Sequence, residues 1–366
     1  MTYFSKDLDD VLTPDASHSI VTFLRRCEAL PALLDETLQV APPNFSISSS
    51  SRVVVTGAGL AEGPARQLAA LWRSELGICV DFIPLTSFMH GVPTHRADTL
   101  IVCSQGLSPN AQIVFDRVSN FSQALLITSC RHLELKSHET ELLQKWQQAG
   151  GAIWDLPPTH KEDGFLLRVQ GPTLYLLAVC AWTASLSRTL HGEDVSWVDE
   201  LARVPQTYAR RLEEALFEPD AIQTASMLSE QNLGLLSFAA SEDRSHALRW
   251  KLLEGLWRQA PQVFDLLQVI HGPWQGFYHE PMALFALIDG ECDMQRDLVA
   301  RLEGILMPHH TLKKVYASLS PPLGLFEFCA VFDALIVLEN QRLGRDLVDW
   351  PGQGKDGPLY GLSHGV

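Results

Sequence analysis

The chain alternates two kinds of hydrophobic pattern. Residues 52–56 form a β-branched run closed by Gly57, and residues 62–76 carry apolar positions at helical spacing, with Pro64 in the first turn, where its missing N–H is tolerated. The spacing predicts strand, turn, helix. The same succession recurs: strand-like runs at 79–83, 99–104, 124–129 and 152–156 alternate with helical spacing at 110–118 and 139–148, and a long helical tract at 173–190 follows. Strands separated by helical crossovers pair in parallel. A second succession begins after residue 204, with helices at 209–216, 245–257, 292–306 and 323–340 around strand-like runs at 233–239 and 283–288. The two successions share an order of elements without close sequence identity. An amphipathic stretch at 20–34 and a Pro/Ser-rich loop at 42–51 precede both. The expected organisation is a helical segment over 1–44, one unit over 45–203, a second over 204–350 and a tail over 351–366. Each unit is expected to be an α/β sandwich: a parallel sheet flanked by helices, three layers, flavodoxin-like.

Composition agrees with two cores. The chain has 366 residues, 46% of them hydrophobic and 19% charged, and at about 150 residues per domain that length suggests two domains. A net charge of -15 with no Lys/Arg run repels polyanions, so nucleic acid is a poor partner. The longest apolar runs, at 173–181 and 326–338, fall short of the roughly 20 residues a bilayer crossing needs, and neither a signal peptide nor a membrane partner is expected. Cys27, Cys79, Cys103, Cys130, Cys180, Cys292 and Cys329 are an odd set without a CxxC pair, which reads as reduced thiols in a cytoplasmic compartment.

Candidate chemistry concentrates in the second unit. A helix there reads Ala247-Leu-Arg-Trp-Lys251-Leu-Leu-Glu254, followed by His271-Gly272-Pro273. Glu254 among Leu252, Leu253 and Leu256 is placed for its carboxyl to be raised toward the proton-shuttling range, and Lys251 lies one turn earlier. Taken alone, these residues also fit a plain helix ion pair and a turn histidine. In the first unit Thr56-Gly57-Ala58-Gly59 follows a strand, and Ser104-Gln105 follows another. Residues 321–338 and then Gly344-Arg-Asp346-Leu-Val-Asp349-Trp-Pro351 close the pattern.

Together these fragments resemble the sugar-isomerase (SIS) family, best known from the isomerase domain of glucosamine-6-phosphate synthase and from related phosphosugar isomerases and deglycases. The resemblance runs from about residue 45 onward and implies two tandem SIS domains. It implies Glu254 as the base that moves a proton between adjacent carbons, His271 as the acid/base that opens the ring, and Lys251 in support. Because the family commonly draws that histidine from a second subunit, it also implies a homodimer with shared sites. Gly57, Gly59, Glu62, Ser104, Gln105, Ser108, Glu162 and His364 are the implied substrate-binding positions. An enediol route moves only protons, so no cofactor is expected. The expected activity is aldose–ketose isomerisation or cleavage of a C–N bond in a sugar-amine conjugate.

The chain departs from the family where phosphate is usually held. The first turn, Gly57-Ala-Gly59-Leu-Ala-Glu62, has no hydroxyl, and Glu62 would repel an anion there. Leucines occupy the loop at 162–168, where the family offers a hydroxyl to the sugar. Two readings follow: a substrate that lacks a phosphate or carries a cation there instead, or a Glu62 that points to solvent from the first helical turn, where the dipole favours acids. Two rivals remain: a carbohydrate-binding protein without turnover, and an NAD(P)-dependent oxidoreductase built on Gly57-x-Gly59-x-x-x-Gly63 with Asp81, whose glycine spacing is off by one. His90 with His95, and His309 with His310, lack the spacing and third ligand of a zinc site.

Overall fold

A computed structural model describes residues 3–89, 98–130, 135–157, 162, 164–238, 241–290, 292–355 and 357–359. The chain divides into two compact units, one of residues Leu33–Asp163, Gln170–Val198 and Pro351–Val366, the other of Met1–Ala32, Gly164–Val169 and Asp199–Trp350. Each holds one parallel sheet.

After helix α1 (His18–Gln39), the first sheet is built from β1 (Arg52–Gly57), β2 (Cys79–Phe82), β3 (Thr99–Cys103), β4 (Gln123–Thr128) and β5 (Ala152–Asp155), in the order β2-β1-β3-β4-β5. Register runs Val55↔Ile101 and Ile101↔Leu125, so the central strands bring their apolar runs abreast. Crossovers are α2 (Glu62–Leu76), the one-turn α3 (Gln112–Phe115) and α4 (Ser137–Gln148), and α5 (Gln170–His191) follows β5. One face of the sheet buries Val54, Leu100, Val102 and Leu126 against Val114, Phe115 and Trp146. On α2, β5 and α5, Trp72, Trp154 and Trp182 meet edge-to-face, with centroids 4.8 and 5.3 Å from Trp182. The expected helix over 110–118 is broken up: a 3-10 turn at Pro109–Ala111, α3, and a second 3-10 turn at Val118–Asn120.

Helices α6 (Val204–Leu216) and α7 (Ala221–Glu230) lead to the second sheet, which comprises β6 (Asn232–Ser237), β7 (Gln262–Asp265), β8 (Met282–Ile288) and β9 (Thr311–Tyr316) in the order β7-β6-β8-β9. Helices α8 (Ser241–Leu256), α9 (Pro273–Phe277) and α10 (Asp293–Glu303) join these strands, and α11 (Gly324–Arg342) closes the unit. Strand β8 is buried at all seven positions, as a central parallel strand must be.

Among the described residues this sheet has one strand fewer than the first, because the chain passes from β9 directly into α11 through a short loop held by carboxylates. Glu327, fully buried on α11, accepts hydrogen bonds from the backbone N–H of Ser318 (2.6 Å) and Leu319 (2.8 Å). Glu200 likewise accepts from the N–H of Ser320 (2.8 Å) and from its hydroxyl (2.7 Å). Backbone donors satisfied by carboxylates need no strand partner, and the segment stays a loop. Both N–H groups meet the same oxygen, Oε1; glutamine keeps that acceptor but puts an NH2 group in place of Oε2, which accepts from the Ser318 hydroxyl at 3.1 Å and pairs with Arg211 at 3.5 Å. Glu327→Gln should lower stability by about 1.5–3 kcal/mol, read as a shift of the urea midpoint; an unshifted midpoint would show that the carboxylate does not pin the loop.

Candidate functional site

Helix α8 buries Ala247, Leu248, Leu252 and Leu256 at helical spacing, and Lys251 falls on that buried side. An ammonium there requires a counter-charge. Its Nζ lies 2.6 and 2.7 Å from the carboxylate oxygens of Asp333 on α11, and the Tyr208 hydroxyl of α6 donates to the same carboxylate at 2.8 Å. Burial alone would depress the lysine; the Asp333 charge more than offsets it and holds the ammonium above its ordinary range. Lys251 thus ties three helices together.

Glu254, one turn further along α8, has no such partner. Among the described residues its carboxyl makes no hydrogen bond and no ion pair. It lines a cavity of about 10 Å³, room for roughly one water, together with Phe165, Leu166, Leu167, Trp257 and Ile336. Burial pushes the carboxyl up to about 8, while the Arg168 guanidinium pulls against that rise. At neutral pH the group therefore holds and releases a proton readily.

His271 sits in the turn before α9, exposed, its backbone N–H donating to the carbonyl of Gln268 at 3.0 Å. Its ring has no hydrogen-bond partner among the described residues and does not line the Glu254 cavity. Trp274, three residues on, packs against Phe277, Tyr278 and His310, with centroids 5.8, 5.4 and 6.0 Å away.

The remaining expected positions belong to the first-sheet unit. A β-carbon at Gly57 would lie 2.4 Å from the Ala61 carbonyl oxygen, so this tight turn requires glycine, and Gly59 has a positive φ of 57°. Glu62 opens α2 and pairs with Arg66 at 2.6 Å, and Arg66 in turn stacks over Phe82 at 4.2 Å. The Coulomb argument against an anion beside this turn thereby loses its unpaired charge.

Ser104 and Ser108 are partly buried, with hydroxyls free of hydrogen bonds among the described residues. Gln105 and Glu162 come together: the Gln105 amide donates to Glu162 at 2.9 Å, and Glu162 also accepts the backbone N–H of Gln170 and Gly171, both at 2.8 Å. A carboxylate there satisfies orphan donors of α5 and complements its dipole. Gly171 allows that approach, since a β-carbon would meet the Gln105 side chain at 2.2 Å. His364, His90 and His95 lie outside the described residues. No cluster of three His, Cys, Asp or Glu side chains able to hold a metal occurs among the described residues, and none of the described helices is long and apolar enough to cross a membrane.

Asp333, Tyr208 and Arg168 were not singled out from the sequence. Asp333 alone left a signal, as one of two acids, with Glu327, inside the largely apolar run at 326–338.

No family model and no curated protein matches the sequence. Solved structures do. The C-terminal domain of glucosamine-fructose-6-phosphate aminotransferase from Francisella tularensis is 11% identical, covers 93% of this chain and 100% of its own, and superposes with a TM-score of 0.65. Glucosamine-6-phosphate deaminase from Thermotoga maritima is 13% identical over 89% of this chain and 95% of its own, with a TM-score of 0.65. A protein proposed to be a tagatose-6-phosphate ketose/aldose isomerase, from Clostridium novyi, is 14% identical over 98% of this chain and 96% of its own, with a TM-score of 0.68. The fold is thus the tandem α/β sandwich of the SIS proteins and phosphosugar isomerases, and at these identities the likeness is one of fold.

Two measurements check the electrostatics of α8. Lys251→Met strands a buried carboxylate and should cost about 3–5 kcal/mol, most of it recovered in the double variant Lys251→Met/Asp333→Leu; a single variant within about 0.5 kcal/mol of wild type in urea would refute the pairing. Glu254 gives a pH signature. Its carboxyl is raised in the folded state from 4.5 to about 8, so the folded chain binds the proton more tightly across that window, and this contribution to stability fades as pH rises through it. Glu254→Gln should therefore melt above wild type at pH 9 and with it at pH 4; a difference independent of pH would contradict the raised carboxyl.

Proposed function

We propose that the chain binds a sugar derivative and rearranges it by proton transfer, either isomerising aldose and ketose or cleaving a C–N bond in a sugar-amine conjugate. The observation that carries this reading is Glu254: a partly buried carboxyl, without a hydrogen-bond or ion-pair partner among the described residues, poised near 8 on the helix whose sequence resembles the SIS signature. A carboxylate of that basicity can take the proton from the carbon beside a carbonyl and return it to the neighbouring carbon through an enediolate. In the isomerisation only protons move, and in the C–N cleavage water adds as the protonated amine leaves, so neither route needs a cofactor.

His271 is the group for the ring oxygen in this scheme. In the single chain it is exposed and absent from the lining of the Glu254 cavity, so its role requires a second copy to supply it, and the reading includes a homodimer. Lys251, committed to Asp333, supports by fixing α8 rather than by touching substrate. Within the first-sheet unit, the loops bearing Gly57, Gly59, Ser104 and Ser108 offer backbone and hydroxyl groups, and Glu162 acts by holding Gln105.

A second reading, recognition without turnover, is favoured by one observation: the Glu254 cavity is far smaller than a sugar. One variant separates the two. Glu254→Gln should lower kcat on the turned-over sugar by about 100-fold or more while leaving its affinity near wild type, tested with fructose 6-phosphate, glucosamine 6-phosphate, fructose and a fructosamine. In the wild type kcat should rise as pH approaches 8. Binding by the wild type with no turnover of any of these would establish the second reading.

A further inference from the structure

Two turns of the second-sheet unit are clasped together by aromatic rings. His310, between α10 and β9, has its ring centroid 6.0 Å from that of Trp274 and 5.5 Å from that of Phe277, both on α9, and 4.3 Å from that of His309. His309 donates its Nε2–H to the carbonyl of Tyr278, the residue after α9, at 3.0 Å. At the other end of α9 the backbone N–H of Trp274 donates to the Val269 carbonyl at 2.8 Å. The clasp on α9 therefore also holds the turn that carries His271.

His310 is only 9% exposed, and both of its ring nitrogens are buried without a hydrogen-bond partner. A neutral imidazole has one N–H and one lone pair, so the clasp already leaves a donor and an acceptor unused. A second proton would add a charge and another N–H to the same aromatic surroundings. The charged and titratable groups on the neighbouring elements are engaged elsewhere or face water: Tyr278 and His279 pack on each other at 4.9 Å, Glu280 is exposed, Arg301 of α10 pairs with Asp297, and on β9 Lys313 pairs with Glu218 and Asp220 and Lys314 with Glu303. His309 remains, and it repels. Burial first and His309 second hold the His310 imidazole below its ordinary range.

We propose that His310 is a pH-sensitive latch: neutral, its ring clasps α9 within the aromatic cluster; protonated, the ring leaves the cluster and α9 loosens together with the His271 turn. The direction follows from linkage. A ring released into water takes up its proton near the ordinary value of about 6.5, and the clasped ring does so only at lower pH. The clasp is thus fully held above about 6.5 and weakens as pH falls through the window beneath it, by at most about tenfold in the open population per pH unit. The latch does not depend on the role of Glu254. Its catalytic consequence does rest on the reading above, since the imidazole it presents or withdraws is the ring-opening group of that scheme.

Amide hydrogen exchange of the full chain tests the latch without any substrate. Wild type and His310→Phe, which keeps an aromatic ring and removes the proton site, would be compared at pH 7.5 and 5.5, with residues 283–288 of β8 as the internal standard for the intrinsic pH dependence. In wild type, protection of residues 266–280 relative to β8 should fall by about three- to tenfold at pH 5.5, and in His310→Phe it should not fall. Wild-type protection that ignores pH, or an equal fall in His310→Phe, overturns the latch. NMR of wild type labelled with carbon-13 histidine covers the case in which the variant does not fold: the His310 ring, assigned through its contacts with Trp274, should titrate below 6.5, with the Trp274 indole signal moving in step. Titration at or above 6.5, or a Trp274 signal that stays still, overturns it equally. Turnover lost at pH 5.5 with protection intact belongs to Glu254 and also counts against the latch.

Discussion

Burying a charge without a partner is costly, and nearly every buried charge described in this chain has one. Lys251 has Asp333, whose carboxylate also accepts from Tyr208, Glu162 has the first turn of α5 and Gln105, and Glu327 has the donors of the loop after β9. Glu254 departs from that pattern. Protein folds tolerate such a group where something other than stability keeps it, and a carboxyl moved toward neutrality without a bonding partner is the form of exception that proton-transfer chemistry uses.

The paired charges also explain how the exception is held. Lys251 and Glu254 lie one turn apart on α8, so the ion pair that anchors Lys251 to α11 fixes the helix from which Glu254 projects. The strap of residues Gly164–Val169 then supplies apolar walls through Phe165 and Leu167, and the charge of Arg168 acts on the carboxyl. Desolvation raises the carboxyl, and the cation limits the rise.

Much of the fold was legible because central parallel strands are buried on both faces. The apolar runs of β1, β3, β4 and β8 announce themselves for that reason. The edge strands β2 and β5 were legible, but β9 escaped notice because it carries charge: it reads Thr-Leu-Lys-Lys-Val-Tyr, its lysines meeting Glu218, Asp220 and Glu303 across its two faces. Edge strands carry charge to discourage further pairing, and that charge hides the hydrophobic signal. In the site, Glu254 and Lys251 stood out as polar residues inside a helical pattern. Their surroundings did not, since Asp333 lies 82 residues from Lys251 and nothing local in the leucine-rich strap tells that it folds against α8. Glu162 was expected at the sugar; its bonds to Gln105 and α5 depend on tertiary approach through Gly171, which the sequence does not display.

The central claim concerns the protonation of one side chain, and it can be read directly. Carbon-13 NMR of the full chain labelled at glutamate, with the Glu254 resonance assigned by its loss in Glu254→Gln, follows that carboxyl through its titration. The account requires a midpoint near 8. A midpoint near the ordinary 4.5 would mean an adequately solvated carboxylate, and the proposed proton transfer would lose its physical basis.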